Sequence, residues 1–564
     1  MPLKQTPTPG RHAMHLLPSV PVCPPNAGLR LLRLAAIPGV SRLCLVALAL
    51  TLGHASSEAQ SPMTAPAKPV FPIRGFDVLG DNPLPEGETV RVLAPFLRSD
   101  ATIETLQKAT SALEAALKER GYGLHRVVLP PQAVGANVRL DIIRFTIGKV
   151  TVDGLQHYNE ANIRASLPEL AEGQAPNFKA LAVQTAIANE SQGKNIQIAL
   201  KESEVADQID ARIVVKESKP WNFAVSLANT GARETGRDRL TVAGGHANLF
   251  DRDHQFVGAY TTSIERFDDV RQLGLNYRIP VYSAGGVVGA SYTRSTVVGN
   301  YGTFTSTGAG QTMGLNYSHY LPPDGGYRSY VTLALDDRRY DITEISGVPV
   351  PGQQIRRSRP LTLGYSARVE SSAAIWSYNV DLSHNLSGGN GNNLTAYRSE
   401  DPRINSARFT ALRGNANYLG TLGDGWLWSA RGQFQYSPDA LIAGEQLGLG
   451  GASSVRGTSE RPISGDRGLF TSLELSSPEL QPGLRMLGFI DAGWLRNRNP
   501  NATNKPASDH LASVGLGLRY NQGTFGLSIE WGRIVTGSVL AGPGNPTLPR
   551  AGDNKLHVNL SARF

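Results

Sequence analysis

Two short stretches in the last quarter of the chain carry the residue types that could form a functional site. Residues 445–458 hold one arginine among several glycines, and residues 488–493 alternate small or apolar residues with one aspartate. A guanidinium on a flexible backbone and a carboxylate on an extended segment are suited to electrostatic contacts rather than to catalysis. The candidate residues are Gly450, Gly451, Val455, Arg456 and Gly457 in the first stretch and Phe489, Asp491 and Gly493 in the second.

Motifs for nucleotide binding, hydrolysis or metal binding do not occur in the sequence. The two Gly-Lys pairs at 148–149 and 193–194 are followed by Val150 and Asn195, where a phosphate-binding loop needs Ser or Thr. There is no Gly-x-Ser-x-Gly elbow, and the histidines of the mature chain are too scattered for a helical metal pair. We therefore expect no enzyme activity, no cofactor and no metal, although residues distant in sequence could still assemble an active site.

The composition excludes several classes of protein. The 564 residues include 60 Gly and 36 Pro but only 18% charged residues, and the mean hydropathy is -0.21. A bundle of membrane-spanning helices would need repeated apolar runs of roughly 18 residues, which the chain lacks. Recurring aliphatic and aromatic residues exclude a disordered chain. The high glycine content favours strands and turns over helices.

The first 59 residues have the pattern of a secretory signal peptide. Arg30, Arg33 and Arg42 precede the apolar run 43–50, and small residues follow up to Ala59. This order of a basic region, a short apolar core and a small-residue exit predicts cleavage near Ala59. An uncleaved membrane anchor is the alternative, and Met14 could be the true start instead of Met1.

Cleavage at this position would remove both cysteines. Cys23 and Cys44 precede the predicted cut, so the mature chain would contain neither disulfides nor cysteine-bound metal. The removed segment carries five basic residues and one acidic residue, which lowers the formal net charge from +8 to +4. A charge this small does not indicate nucleic-acid binding.

Residues 69–219 combine short strands with amphipathic helices, and the same order of elements occurs twice. In the first unit, 69–147, apolar residues at helical spacing predict a helix that ends at Gly121. In the second unit, 148–219, Asn177 is placed to cap a similar helix that ends before Gly193. The two glycines are roughly 72 residues apart, which indicates an internal repeat. The apolar positions of the first helix are Ile103, Leu106, Leu113 and Leu117.

Residues 220–564 alternate apolar and polar side chains with a period of two. Residues 525–531 are apolar at odd positions and residues 556–564 at even positions. About sixteen such segments of roughly ten residues, joined alternately by short turns and longer loops, predict a closed antiparallel transmembrane barrel. The even number places both ends of the barrel on the periplasmic side. A soluble β-sandwich is the alternative, although sandwiches rarely need so many strands.

Taken together, these features resemble the two-partner secretion transporters, the haemolysin and adhesin secretion-activation family within the Omp85 superfamily. The resemblance depends on Val455-Arg456-Gly457, on Phe489-x-Asp491-x-Gly493, on the paired repeats and on a terminal Phe564. It implies two α+β POTRA domains, at 69–147 and 148–219, followed by an all-β sixteen-stranded barrel. Residues 60–68 would be a short linker between the signal peptide and the first POTRA domain.

The resemblance also implies how the two stretches are used. The loop 442–467 would fold back into the pore, and Arg456 would pair with Asp491 on the inner wall and hold the loop there. A planar guanidinium can bind one carboxylate through two hydrogen bonds, and the flanking glycines allow a sharp turn. Phe489 and Gly493 would share the inner wall with Asp491, and Phe564 would direct barrel assembly.

Two features depart from the family pattern. Thr458 stands where the loop motif usually has an aromatic residue, so an aromatic packing role there is in doubt. A pore-plugging helix before the first POTRA domain would need more room than residues 60–68, which contain Pro62 and Pro66. We therefore predict that the plug helix is absent.

The implied function is export of an unfolded exoprotein, an adhesin or a cytolysin, from the periplasm through the barrel. The chain would be a monomer in the bacterial outer membrane, with lipid and the barrel-assembly machinery as further partners and no nucleic acid. Free strand edges in the repeats favour peptide binding over a spacer role. Because no nucleotide site occurs, passenger folding at the cell surface would drive the movement.

Two other transport functions are considered. An assembly factor of the same superfamily would insert other outer-membrane proteins, but such factors resemble longer arrays of periplasmic repeats. A passive diffusion porin would need neither the repeats nor the loop motif. Export is therefore the predicted function, with the assembly factor as its alternative.

Overall fold

The computed structural model describes residues 69–133, 135–301, 303–345, 348–501 and 505–564. The predicted signal peptide, the linker 60–68 and the position of a plug helix lie outside these residues, so those three predictions stay predictions. Within the described ranges, the helices are too short or too polar to cross a membrane.

The first domain is a three-stranded sheet covered by two helices. Its core is formed by the inner face of α2 and by the central strand, with Leu113, Leu117 and Leu140 fully buried. Helix α2 ends at Glu119, ahead of Gly121, whose φ of +98° favours glycine. The elements are β1 (Gly75–Gly80), α1 (Glu86–Leu93), α2 (Ile103–Glu119), β2 (His125–Val128) and β3 (Asn137–Arg144), with the sheet order β1-β3-β2.

One of the four residues predicted to lie on the buried face of α2 is exposed. Leu106, Leu113 and Leu117 are buried, but Ile103 is 56% exposed. At about 100° per residue, Ile103 lies about 40° from Leu117 and about 80° from Leu113, so it is at the edge of the apolar stripe, and it is also the first residue of the helix.

The second domain repeats this order of elements. Asn177 caps α4 as predicted, since its side chain accepts hydrogen bonds from the backbone of Lys179 and Ala180. Strand β3 and the first strand of this domain are separated by Phe145 alone, so the two sheets follow each other directly. The elements are β4 (Thr146–Asp153), α3 (Glu160–Ser166), α4 (Phe178–Ala188), β5 (Lys194–Glu202) and β6 (Gln208–Glu217), with the sheet order β4-β6-β5.

Residues 221–563 form the closed barrel, which confirms the predicted fold class. Strands β18 and β19 are one strand interrupted at Arg359, so the barrel has sixteen strands. The strands are β7 (Trp221–Ala228), β8 (Arg239–Leu249), β9 (His254–Thr262), β10 (Gln272–Val281), β11 (Gly286–Ser295), β12 (Gly299–Tyr301), β13 (Phe304–Ser306), β14 (Gly310–Tyr320), β15 (Tyr327–Tyr340), β16 (Glu344–Ile345), β17 (Val348–Pro349), β18 (Arg356–Ser358), β19 (Pro360–Glu370), β20 (Ala374–Asn385), β21 (Thr410–Gly423), β22 (Trp426–Tyr436), β23 (Leu447–Leu449), β24 (Ile463–Gly465), β25 (Arg467–Ser476), β26 (Leu484–Arg496), β27 (Ser508–Gln522), β28 (Phe525–Thr536) and β29 (Asn554–Arg563).

Four short strands, β12, β13, β16 and β17, form two hairpins that are not part of the barrel wall, and α5 (Leu394–Glu400) lies between β20 and β21. Strands β23 and β24 form a third hairpin in the connection between β22 and β25. We call the barrel end next to the second domain the near end and the opposite end the far end.

The barrel closes where its last strand meets its first. Strand β29 pairs with β7 through five residue pairs, from Asn559 with Ala228 to Arg563 with Ala224. Phe564 extends this pairing, because its backbone N–H donates to the carbonyl of Phe223 and its carbonyl accepts in return. The terminal residue therefore belongs to the closure, and its predicted role in assembly stays a prediction.

Alternation along each strand separates an apolar outer surface from a polar interior. Leu473, Ile490 and Val514 are directly opposite one another on β25, β26 and β27, and all three are exposed on the outside. Leu516, Trp531 and Leu556 repeat this arrangement on the next strands. An exposed apolar band of this kind faces lipid in transmembrane barrels.

The second domain is attached to the near end of the barrel by a buried ion pair. Lys194 of β5 donates from Nζ to Asp253 Oδ2 at 2.6 Å, and neither side chain is accessible beyond 2%. Ser166 and Tyr282 donate to the same carboxylate oxygen at 2.8 Å and 2.7 Å. Burial lowers the pKa of Lys194, and the charge of Asp253 opposes that effect.

Helix α4 has a second buried face that the sequence analysis did not identify. Val183 and Ile187 pack against Val287 and Tyr320 of the barrel, away from the core of their own domain. Glu190 follows the helix and accepts hydrogen bonds from Arg278 at 3.1 Å and from Tyr320. The second domain is therefore attached to the barrel on two sides.

We predict that Asp253→Ala loosens the second domain. The change leaves the Lys194 ammonium buried without its carboxylate, which costs about 3–5 kcal/mol. Limited proteolysis of the detergent-folded full chain should then cut the second domain faster than in the unaltered protein. Glu190→Gln is the matched control, because its ion pair with Arg278 is about one-third exposed and contributes about 0–1 kcal/mol. Equal cleavage rates for Asp253→Ala and the unaltered chain would contradict the prediction.

Candidate functional site

Residues 442–467 leave the far end of the barrel and return into its interior. Beyond the hairpin of β23 and β24, Gly450 and Gly451 have φ values of +105° and +103°. These left-handed conformations favour glycine and turn the loop toward the inner wall. The tip then contacts one sector of the wall at two strands, because Arg456 binds Asp491 on β26 and Gly457 donates from its backbone to His557 on β29.

Arg456 and Asp491 meet inside the barrel in a two-point contact. The Nε and Nη2 atoms of Arg456 donate to Asp491 Oδ2 and Oδ1, each at 2.8 Å. The backbone N–H of Arg456 adds a third hydrogen bond to Oδ2 at 3.1 Å. The Arg456 side chain is 1% exposed and that of Asp491 is 0% exposed, so water does not weaken the pair.

Two further carboxylates bind the same guanidinium, and the sequence analysis did not identify either. Arg456 Nη1 donates to Glu474 at 3.1 Å and to Glu530 at 2.8 Å. The guanidinium carbon lies 3.3 Å from the centre of the Phe489 ring, a stacking that suits its planar, weakly hydrated face. Both glutamates occupy inward positions of strands with alternating polarity, and this alternation could have identified them in the sequence as residues of the inner wall.

Arg519 completes the charge cluster around the loop tip. Its guanidinium donates to both oxygens of Glu474 and to Glu530 Oε1, the latter at 3.0 Å from Nε and 2.6 Å from Nη2. Glu474 and Glu530 therefore each bind two arginines. Asp491, by contrast, binds Arg456 alone among the basic residues that the structure describes.

The apolar and small residues of both motifs fit the loop tip to the wall. Val455 is fully buried with Leu449, Leu511 and Ile534. Gly493 faces the Leu449 side chain so closely that an added Cβ would lie 2.6 Å from it. A larger residue at 493 would displace the loop.

Thr458 has a polar role in place of the missing aromatic residue. Its hydroxyl accepts a hydrogen bond from the backbone of Gly451 at 3.2 Å and donates to the carbonyl of Ser459. The hydroxyl thus ties the two sides of the loop together.

The base of the loop is fixed to the far end of the barrel by two buried carboxylates. Glu445 accepts from Arg338 at 2.9 Å, from Arg413 at 2.9 Å and from Tyr340 at 2.9 Å. Asp466 accepts from Arg403 at 3.1 Å. The loop is therefore held at both ends as well as at its tip.

Below the loop tip, the interior is open toward the second domain. A cavity of about 1040 Å³ is lined by Glu190 and Gln192 of that domain, by Arg431 and Arg519 of the wall and by Glu460 of the loop. The loop thus forms the far limit of a chamber that begins at the second domain. Across the residues that the structure describes, no group of His, Cys, Asp and Glu side chains could hold a metal ion.

Comparison with known proteins identifies the class. Residues 207–520, more than half of the chain, match the family model of haemolysin secretion/activation proteins ShlB/FhaC/HecB. Residues 71–144 match the ShlB-type POTRA domain. The chain therefore belongs to the ShlB/FhaC/HecB family of haemolysin secretion/activation proteins.

Curated relatives and solved structures agree with this assignment. The outer membrane transporter CdiB of Escherichia coli is 24% identical over 468 residues, which span 81% of this chain and 77% of the relative. The heme/hemopexin transporter protein HuxB of Haemophilus influenzae is 20% identical over 502 residues, 85% and 87% of the two chains. The structure of CdiB from Escherichia coli has a TM-score of 0.68 at 20% identity, with 90% and 93% coverage, and so shares the fold.

These findings confirm the family, the function and the location predicted from the sequence. The chain is an outer-membrane transporter that exports an exoprotein, its POTRA domains lie in the periplasm, and the near end of the barrel is the periplasmic end. Export is supported over the alternative of an assembly factor. The roles assigned to the individual site residues stay predictions.

We predict that Arg456→Ala frees the loop tip. Asp491 would then be buried without its only basic partner, and losing one member of such a pair costs about 3–5 kcal/mol. The purified barrel should conduct ions in planar bilayers far more often than the unaltered protein, while export falls sharply. Arg408→Ala, at an exposed arginine of the far end, is the control for the loss of a positive charge. Unchanged conductance in correctly folded Arg456→Ala protein would refute the latch.

Exchanging the two charges should not restore the closed loop. In the double variant Arg456→Asp with Asp491→Arg, the new carboxylate at 456 would face Glu474 and Glu530, which repel it. We expect conductance as high as for Arg456→Ala. Adding Glu474→Gln and Glu530→Gln should lower it again. If the double variant alone were as closed as the unaltered chain, the two glutamates would not contribute to the latch.

Proposed function

We propose that the POTRA domains capture an unfolded exoprotein as an added strand and pass it through the barrel when the loop tip leaves the wall. The passenger is proposed to be a secreted adhesin or cytolysin. One observation carries the proposal. The chamber that begins at the second domain ends at a loop whose tip has one buried arginine paired with the wall.

The outer edge of β5 is the proposed capture site. Strand β5 pairs with β6 on one side only, so its other edge is open. Ile196 shows which groups face that edge, because its N–H and carbonyl bind the Asn189 side chain at 2.6 Å and 3.0 Å instead of β6. By strand alternation, Ile198 and Leu200 also direct their backbone groups outward. An extended peptide can bind such groups as a further strand.

The position of β5 suits delivery into the barrel. Its first residue, Lys194, is the one that binds Asp253 at the near end, and Glu190 and Gln192 just before it line the chamber. A strand added along β5 would therefore have one end at the entrance of the chamber. Half-buried Ile198 and exposed Leu200 offer apolar contacts to alternate side chains of the added strand.

One sector of the inner wall provides a largely uncharged path for the passenger. Apart from Arg239 at the far end and Arg278 toward the near end, inward positions on β7 to β11 carry small or uncharged polar side chains. A chain that moves along this sector meets hydroxyl and amide groups that exchange hydrogen bonds without charge pairing. For example, Ser226, Thr241 and Thr261 lie opposite one another on β7, β8 and β9, and Asn276 lies opposite Ser291 on β10 and β11.

Leu200→Pro should block capture without affecting the barrel. Proline removes the N–H that faces the open edge and fixes the backbone away from strand geometry. Leu200→Ala is the matched control, because it shortens the side chain but keeps the N–H. We expect the co-expressed exoprotein to disappear from the medium with Leu200→Pro and to stay near its normal level with Leu200→Ala. Both variants should still form the barrel, which is checked by heat-modifiable migration of the protein in gel electrophoresis. Normal export by folded Leu200→Pro protein would exclude this edge.

A further inference from the structure

Arg431 is an arginine of the inner wall without a carboxylate. It lies on β22 and lines the chamber. Its side-chain hydrogen bond goes from Nη2 to the Ser472 hydroxyl at 3.4 Å, and within the described part of the chain it forms no ion pair. The charges of Asp491, Glu474 and Glu530 act on this guanidinium, yet it pairs with none of them. This arrangement requires an explanation.

Strand register places Arg431 in one row with the latch. Arg431 is opposite Ser472, which is opposite Asp491, which is opposite Ser513. Arg431 and Asp491 are thus two strand spacings apart, roughly 10 Å between backbones. Ser472 lies between them and accepts from both arginines, from Arg456 Nη2 at 3.3 Å and from Arg431 Nη2 at 3.4 Å.

The contacts of Arg456 show that a single guanidinium can bind Ser472 and Asp491 at the same time. Its Nη2 atom donates to the Ser472 hydroxyl at 3.3 Å and to Asp491 Oδ1 at 2.8 Å. Arg431 already donates to that hydroxyl from the other side. Once Arg456 has left, a change of side-chain rotamer would bring Arg431 onto the same carboxylate.

The charge balance shows which carboxylate needs a new partner. Glu474 and Glu530 keep Arg519 when the loop tip leaves, because Arg519 binds both of them. Asp491 loses the guanidinium and the backbone donor at once. An unpaired carboxylate at this depth is strongly unfavourable, so the open state is accessible only if another donor replaces Arg456.

We propose that Arg431 is this replacement: when the loop tip leaves the wall, the Arg431 guanidinium moves over Ser472 and pairs with Asp491. Ser513 supplies a second donor, because its buried hydroxyl faces Asp491 and has no hydrogen-bond partner in the described structure. Arg431 is a positioning residue that lowers the free energy of the open state. The proposal rests on the proposed latch function and deepens it.

The test is the open probability of the purified full chain in planar bilayers. Arg431→Gln should lower it by roughly tenfold or more, the opposite direction to Arg456→Ala. Arg431→Lys should keep part of the opening, because an ammonium can still pair with Asp491. Arg431→Met, a neutral side chain of similar length, should reproduce Arg431→Gln, so that one poorly folding variant does not decide the outcome.

A second background separates replacement from simple repulsion between the two arginines. With Asp491→Asn the carboxylate that Arg431 would neutralise is gone, while Glu474 and Glu530 keep Arg519, so adding Arg431→Gln should leave the open probability unchanged. If Arg431 acted only by repelling Arg456, its removal would lower opening in that background as well, and the proposal would be overturned. Unchanged or increased opening with Arg431→Gln alone would also overturn it. Failure of Arg456→Ala to open the pore would instead contradict the latch itself.

Discussion

The closed barrel depends on one buried guanidinium. Removing a charged side chain from water is costly, and the cost is offset only when the charge is paired and its hydrogen-bonding groups are used. Arg456 meets that condition through three carboxylates, one hydroxyl and the face of Phe489. Because the arginine comes from the loop and its partners come from three strands of the wall, β25, β26 and β28, the contact forms only when the loop tip is fully inserted. The proposed latch would therefore be all-or-none rather than graded.

Buried ion pairs also fix the base of the loop and the second domain, the elements that should not move. Glu445 and Asp466 fix the base of the loop, and the pair of Lys194 with Asp253 fixes the second domain to the near end. In these anchors the carboxylate is supported by several donors from rigid strands or turns. At the tip the charges are reversed, because the arginine lies on the loop and the three carboxylates that bind it lie on the wall. If the tip leaves, Glu474 and Glu530 keep Arg519, and Asp491 alone loses its basic partner among the described residues.

Local alternation was enough to predict the strands, the inward direction of Phe489 and Asp491 and the fold class, because those properties need only the period of two. The roles of Glu474, Glu530 and Arg431 could not be predicted in this way. Glu530 is 74 residues from Arg456, and their meeting depends on barrel register and closure. Lys194 illustrates the same limit. In the sequence it belongs only to a Gly-Lys pair that does not complete a phosphate-binding loop, whereas in the structure it is buried against Asp253.

The two sectors of the inner wall have different roles in the proposed transport. Charges that hold the loop tip lie on β25 to β28, whereas the inward side chains of β7 to β11 are mostly small or uncharged polar ones, with Arg239 and Arg278 as the exceptions. A passing chain that touched the charged sector would compete for Asp491 and slow its own exit. When Arg431 and Arg519 keep the three carboxylates neutralised, the charged sector offers no free partner to a basic passenger side chain. Charge compensation in the open state would then serve transport as well as opening, because it keeps the wall from binding what it must let pass.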